Sequence, residues 1–163
     1  MQYKKEEVIL SFVRISLGLI FLWAFFDKLF GLGFNTAPDK SWLMGVSPTS
    51  GFLEFATKGP FAGIFKSLAG LAIIDWLFML GLLLIGIALT FGIALKASSY
   101  GGAILMFLMW LAVLPKEHHP FLDEHVVYLL VFLLIAIKNP VYYLGCGKCW
   151  EKLSIVKKYK ILR

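Results

Sequence analysis

Residues 71–95 read LAIIDWLFMLGLLLIGIALTFGIAL, a run whose one charged residue is Asp75. At ~1.5 Å per residue, a helix of that length crosses a hydrocarbon layer of ~30 Å. Three more runs of the same character occupy Val8–Phe30, Ser98–Leu114 and Phe121–Ile137. Lipid offers no partner to backbone N–H and C=O groups, so such runs must be helical. The expected fold is all-α: an integral membrane four-helix bundle with short interfacial helices in a long outer loop. Four spans, one loop and a basic tail over residues 138–163 use up the chain, so residues 1–163 read as a single domain.

The chain is basic, with a net charge of +6, and the placement of its charges decides what that means. Four spans put both termini on one side, where eleven Lys/Arg face three Asp/Glu; the other side has five against seven. The Lys/Arg excess puts the termini in the cytoplasm of a cell-membrane protein. A basic tail beside anionic headgroups accounts for the rest, which excludes nucleic acid as a partner. The first run exceeds a typical signal-peptide core and contains Arg14, so it reads as an uncleaved anchor.

Function is to be sought where polar groups interrupt the apolar runs. Arg14, Gly18, Phe21, Phe25 and Lys28 fall 4, 3, 4 and 3 apart and share one stripe of the first helix. Either Arg14 and Lys28 are cations snorkelling from a packing face, or the stripe faces inward and Lys28 binds an anion. Between the first two spans, Phe52–Ala56 and Phe61–Leu68 form two short amphipathic pieces separated by Gly59-Pro60. They read as interfacial helices lying over the bundle mouth. Asp75 and Trp76 open the second span. The carboxylate suits a helix N-terminus, or it pairs with Lys28. Gly81 and Gly86 both suit close helix packing. In the third span Tyr100, Ala103, Phe107 and Trp110 share a face, with Met106 and Met109 elsewhere.

The densest polar cluster runs from Lys116 through His118 and His119 to Asp123, Glu124 and His125. Pro120 fits the first turn of the fourth helix, with Tyr128 and Phe132 below His125 at helical spacing. The cluster lacks the i, i+4 histidine pair of a helical zinc site, so no metal is expected. Two roles remain: proton handling by His125 with Asp123, or a rim of Lys28, Lys116 and histidines that attracts anions. Cys146-Gly147-Lys148-Cys149 supplies half of a zinc site and no thioredoxin context; structural, redox and shared-metal readings all stay open.

Four segments in order, Leu22–Gly31, Ser47–Leu53, Asp75–Gly81 and Pro120–His125, resemble the DoxX/DoxD family. The likeness extends to about Gly145 and leaves out the basic tail. It implies a four-helix membrane bundle and, for some members, the DoxD-like large subunit of a thiosulfate:quinone oxidoreductase. On that basis quinone is the expected electron acceptor, and no other cofactor is identifiable. Lys28, Asp75, Asp123 and His125 are the expected catalytic groups. Arg14, Lys116, His118 and His119 are expected at the anionic substrate, and Trp76, Trp110 and Tyr128 beside the quinone ring. A second oxidoreductase subunit or a second copy of the chain is a further expected partner. The alternatives are a non-catalytic component that assembles a respiratory or redox-stress complex, and a small transporter. The third span has no mid-membrane polar group, which opposes the transporter.

Overall fold

A computed structural model describes residues 5–115, 119–140 and 144–162, without the side chain of Lys160. Among these residues the chain is helical and no strand occurs. The helices are α1 (Lys5–Phe30), α2 (Ala62–Lys66), α3 (Ala72–Phe91), α4 (Leu95–Ala112), α5 (Glu124–Lys138), α6 (Gly147–Trp150) and α7 (Ser154–Lys158). Three of them, α1, α3 and α4, are long and apolar enough to cross a membrane. The fourth expected span, α5, has 15 residues, or ~22 Å of helix. It starts later than Phe121 because the Asp123 side chain caps it, accepting from the amides of His125 and Val126. Pro120 therefore precedes the helix instead of lying in its first turn.

The outward faces are strongly apolar. Leu77, Leu84 and Ile104 are each more than 60% exposed, and Ile137 is 75% exposed. A continuous surface of this kind suits lipid chains, where a water-facing helix would carry polar side chains.

Packing is heaviest between α1 and α3 and between α4 and α5, and lighter between α3 and α4. Leu17, Phe21 and Phe25 meet Met79, Leu82, Ile85, Met106, Phe132 and Ile135 in one core. Phe21 and Phe132 join α1 to α5 edge to face at 5.4 Å. Close approach depends on absent side chains. A Cβ on Gly18 would lie 2.7 Å from the Thr90 amide nitrogen, and one on Gly86 2.9 Å from that of Leu22. A Cβ on Gly102 would strike the Phe132 ring.

The α1 stripe points inward as far as Phe25: Arg14, Gly18, Phe21 and Phe25 are buried, and Lys28 is half-buried. Arg14 does not snorkel. Fully buried, it packs on Gly92 and donates from Nη2 to the Leu144 carbonyl at 2.9 Å. The Cys146 amide donates to the Phe91 carbonyl at 2.7 Å. These two bonds bring the chain beyond α5 back to the end of the molecule where α1 begins and α3 finishes. On α4 the expected shared face is split: Tyr100 and Phe107 look outward while Ala103 is buried on the core side with Met106. The reason is Gly102, which admits the Phe132 ring and so turns the Gly102–Ala103–Met106 side toward α5.

Candidate functional site at the loop end

The long segment between α1 and α3 closes the end opposite the termini, and two buried carboxylates tie it down. Gly31 ends α1 at φ +69° in a turn so tight that a Cβ would lie 2.7 Å from the Ala37 oxygen. Asp27, 1% exposed, then accepts from the amides of Phe34 (3.2 Å) and Asn35 (3.0 Å). A carboxylate holding backbone N–H groups satisfies donors that the turn would otherwise orphan. Asp75 does the same for the next stretch. Its Oδ1 accepts from the Ser47 hydroxyl at 2.7 Å and the Thr49 hydroxyl at 2.5 Å. The Ser47 oxygen also accepts from the Ser50 amide at 3.0 Å, so one hydroxyl shapes its own turn and fastens it to α3.

Asp75 and Lys28 do not form the expected ion pair. The ammonium of Lys28 instead lies 5.8 Å from the centre of the Phe78 ring, a cation–π distance. It stands in the wall of a pocket of ≈ 320 Å³ formed by α3, α4 and the loop segments above them. Thr49 and Phe52 come from the loop, Phe65 and Leu68 from α2 and its end, Phe78 from α3, and Met109 from α4. Lys28 is the one charged side chain among the residues lining it. The two short apolar pieces expected over the mouth are present as a π-helical turn at Phe52–Ala56 and as α2. They form this pocket's roof.

A second pocket, ≈ 550 Å³, lies at the rim. Lys58, His119, Asp123, Glu124 and His125 line it, and Phe52 belongs to both pockets. His125 Nδ1 lies 2.6 Å from Asp123 Oδ2, while Asp123 Oδ1 holds the helix cap. The carboxylate thus fixes both the helix start and the ring. His119 is turned to its own loop, its Nδ1 accepting from the amides of Phe121 and Leu122. Asp123, Glu124 and His125 sit close enough to share an ion. One Asp123 oxygen is committed to the cap and the other to His125, and Glu124 is exposed. Loss of that cap in Asp123→Ala is expected to lower stability by about 1 kcal/mol, read as a lower unfolding midpoint in detergent. Asp123→Asn, which can still cap, should recover most of it.

Sequence-expected residues therefore divide between places. Lys28 lines the inner pocket; His119, Asp123 and His125 line the rim; Arg14 is in the N-terminal half of α1, away from both. Lys116 and His118 lie outside the described residues. None of the three aromatics expected at a quinone ring lines the Lys28 pocket. Trp76 is 54% exposed and packs edge to face on Trp42, and Trp110 donates from Nε1 to the Phe121 carbonyl at 2.7 Å. Tyr128 packs against the core. Phe52, Phe65 and Phe78 supply the aromatic wall instead. Lys58 was missed because a loop lysine carries no signal of depth; its amide is pinned to the Ala112 carbonyl at 3.0 Å. At the opposite end Cys146 and Cys149 are exposed free thiols at the start of α6. Comparison with protein-family models, curated proteins and solved structures finds no match to this chain.

Proposed function

We propose that this protein is a four-span membrane bundle of DoxX/DoxD type, acting as a quinone-linked oxidoreductase subunit. The supporting observation is the Lys28 pocket: a single cation in an aromatic and aliphatic enclosure beneath a roof pinned by Asp75. Such a site fits a ring that bears carbonyl oxygens on an otherwise apolar body. The Lys28 ammonium donates to a carbonyl oxygen of quinone and stabilises the negative charge that develops there as electrons arrive. Thr49, Phe52 and Phe78 then hold the ring and exclude water.

The polar substrate enters the rim pocket on the other side of Phe52. Thiosulfate is the substrate of this proposal, drawn by Lys58 and His119, with His125 oriented by Asp123 to take or give a proton. Two thiosulfate ions joining through sulfur release two electrons, and quinone takes them with two protons. A partner subunit is part of the proposal, because the residues lining the two pockets include no electron carrier. The competing role in assembly draws on glycine faces open to a partner; Gly18, Gly86 and Gly102 are occupied by contacts inside the molecule, while Gly81 and Gly101 are open.

Purified protein in lipid nanodiscs, titrated with a tailless quinone, tests the reading. Lys28→Met is expected to weaken binding by about tenfold or more, the worth of one charge-assisted hydrogen bond. Lys28→Arg should recover part of the loss. Thiosulfate-dependent quinone reduction should fall in parallel. Equal binding to wild type and Lys28→Met, or none to either, would remove the proposal.

A further inference from the structure

Cys146-Gly147-Lys148-Cys149 lies at the end of the molecule where α1 begins and α3 finishes, and the quinone reading uses neither thiol. Three hydrogen bonds hold the turn that carries them. The Cys146 amide donates to the Phe91 carbonyl, the last residue of α3, at 2.7 Å. Two residues earlier, the Leu144 carbonyl accepts from Arg14 of α1. Just past the motif, Trp150 donates from Nε1 to the Leu162 carbonyl at 2.6 Å. Between these anchors the Cys149 amide donates to the Cys146 carbonyl at 3.0 Å, closing one turn. Residues three apart in a helical turn have Cα atoms about 5 Å apart, inside the span of roughly 4.4–6.8 Å that a disulfide bridges. Gly147 is buried, whereas both cysteines are exposed and free.

The two sulfurs differ in their surroundings. Arg14, fully buried against Gly92, lies close enough for its charge to act on Cys146. A cation beside a thiol favours the thiolate, which is the form that attacks a disulfide. A structural zinc ion takes four ligands. Among the described residues no third Cys, His, Asp or Glu stands with this pair.

We propose that Cys146 and Cys149 form a dithiol that reduces a disulfide on another molecule, Cys146 attacking and Cys149 resolving. The Cys146 thiolate attacks one substrate sulfur, a mixed disulfide forms, and the first substrate thiolate leaves. The Cys149 thiolate then attacks the Cys146 sulfur and expels the second. Two electrons pass to the substrate, the pair ends as a disulfide, and the two protons of the dithiol end on the product thiols. Arg14 is a positioning residue that acts through Cys146.

Reduced wild-type protein in nanodiscs, mixed with glutathione disulfide or with a disulfide-linked peptide and followed by intact mass, tests this. The expected product is a single chain lighter by two hydrogens, with no adduct retained. Cys149→Ser should stop at a mixed disulfide on Cys146, and Cys146→Ser should react about tenfold more slowly. Faster reaction with the peptide assigns the substrate to proteins, and with glutathione disulfide to small molecules; either supports the exchange. Arg14→Gln is expected to slow alkylation of Cys146 by iodoacetamide to the rate of Cys149, and Arg14→Lys to restore part of it. Where Arg14→Gln does not fold, the two single-cysteine chains decide: Cys146 should alkylate about tenfold faster than Cys149. Equal rates, a stable adduct on wild type, or disulfides formed only between chains would overturn the proposal. So would one zinc ion held tightly by each two chains, the mark of a shared metal site.

Discussion

Gly86→Leu is expected to separate α1 from α3 and to destabilise the protein by about 3 kcal/mol, whereas Gly81→Leu leaves stability close to wild type. A side chain at residue 86 must enter space held by Leu22, whose backbone nitrogen would be 2.9 Å from the new Cβ. Backbone cannot rotate away as a side-chain tip can, so the helices themselves have to part. Parting them also uncouples the facing Gly18–Thr90 contact and the Phe21–Phe132 pair beyond it. Five residues along one helix is a rotation of about 140°, so Gly81 points away from α1 and meets nothing. Thermal unfolding in one detergent reads both variants. A destabilised Gly81→Leu with an unaffected Gly86→Leu would mean that the helix faces are assigned the wrong way round.

The second large effect is at Asp75. Asp75→Ala removes the acceptor shared by the Ser47 and Thr49 hydroxyls. Hydrogen bonds to a buried carboxylate are worth about 1.5–3 kcal/mol each, and relief of the buried charge offsets part of that. A net loss of about 2 kcal/mol is expected, concentrated in the loop. Limited proteolysis and hydrogen exchange should show residues 47–57 opening while α3 stays protected. Thr49→Val leaves the Ser47 bond and should cost about half as much. Combined in a double-mutant cycle, Asp75→Ala and Thr49→Val should couple by about 1 kcal/mol; strict additivity would contradict the hydrogen bond. Because Thr49 and Phe52 line the Lys28 pocket, quinone affinity should fall with the roof.

Hydrophobic periodicity made the helices legible, since an apolar run must satisfy its own backbone. It also put Arg14, Gly18, Phe21, Phe25 and Lys28 on one stripe, and left its direction to be settled by the fold. Three things depended on packing between distant segments and were hidden from it. Gly81 and Gly86 look alike in sequence; only the position of α1 makes one a contact and the other a gap. Asp75 offered a helix dipole or a lysine partner; it does stand in the first turn of α3, but its partners are Ser47 and Thr49, which return over α3 after a loop of irregular length, and not Lys28. Arg14 lies near a helix end, where snorkelling is the usual outcome. The chain after α5 folds back over it and supplies the Leu144 carbonyl, so it is buried instead. Lys28 and the His125–Asp123 pair were singled out from their residue types and depth. Their separation into two pockets divided by Phe52 needed the loop fold.

The whole account requires that the Lys28 pocket and the Cys146–Cys149 pair face opposite sides of a bilayer. Accessibility to a membrane-impermeant maleimide tests this directly. Cys146 and Cys149 report the termini end, and Met44→Cys, at an exposed loop position, reports the other in a Cys146→Ser/Cys149→Ser background. In intact cells Met44→Cys should be labelled at once, and the native cysteines only after permeabilisation. Labelling of both from the same side, or recovery of the protein in the soluble fraction, would contradict the account.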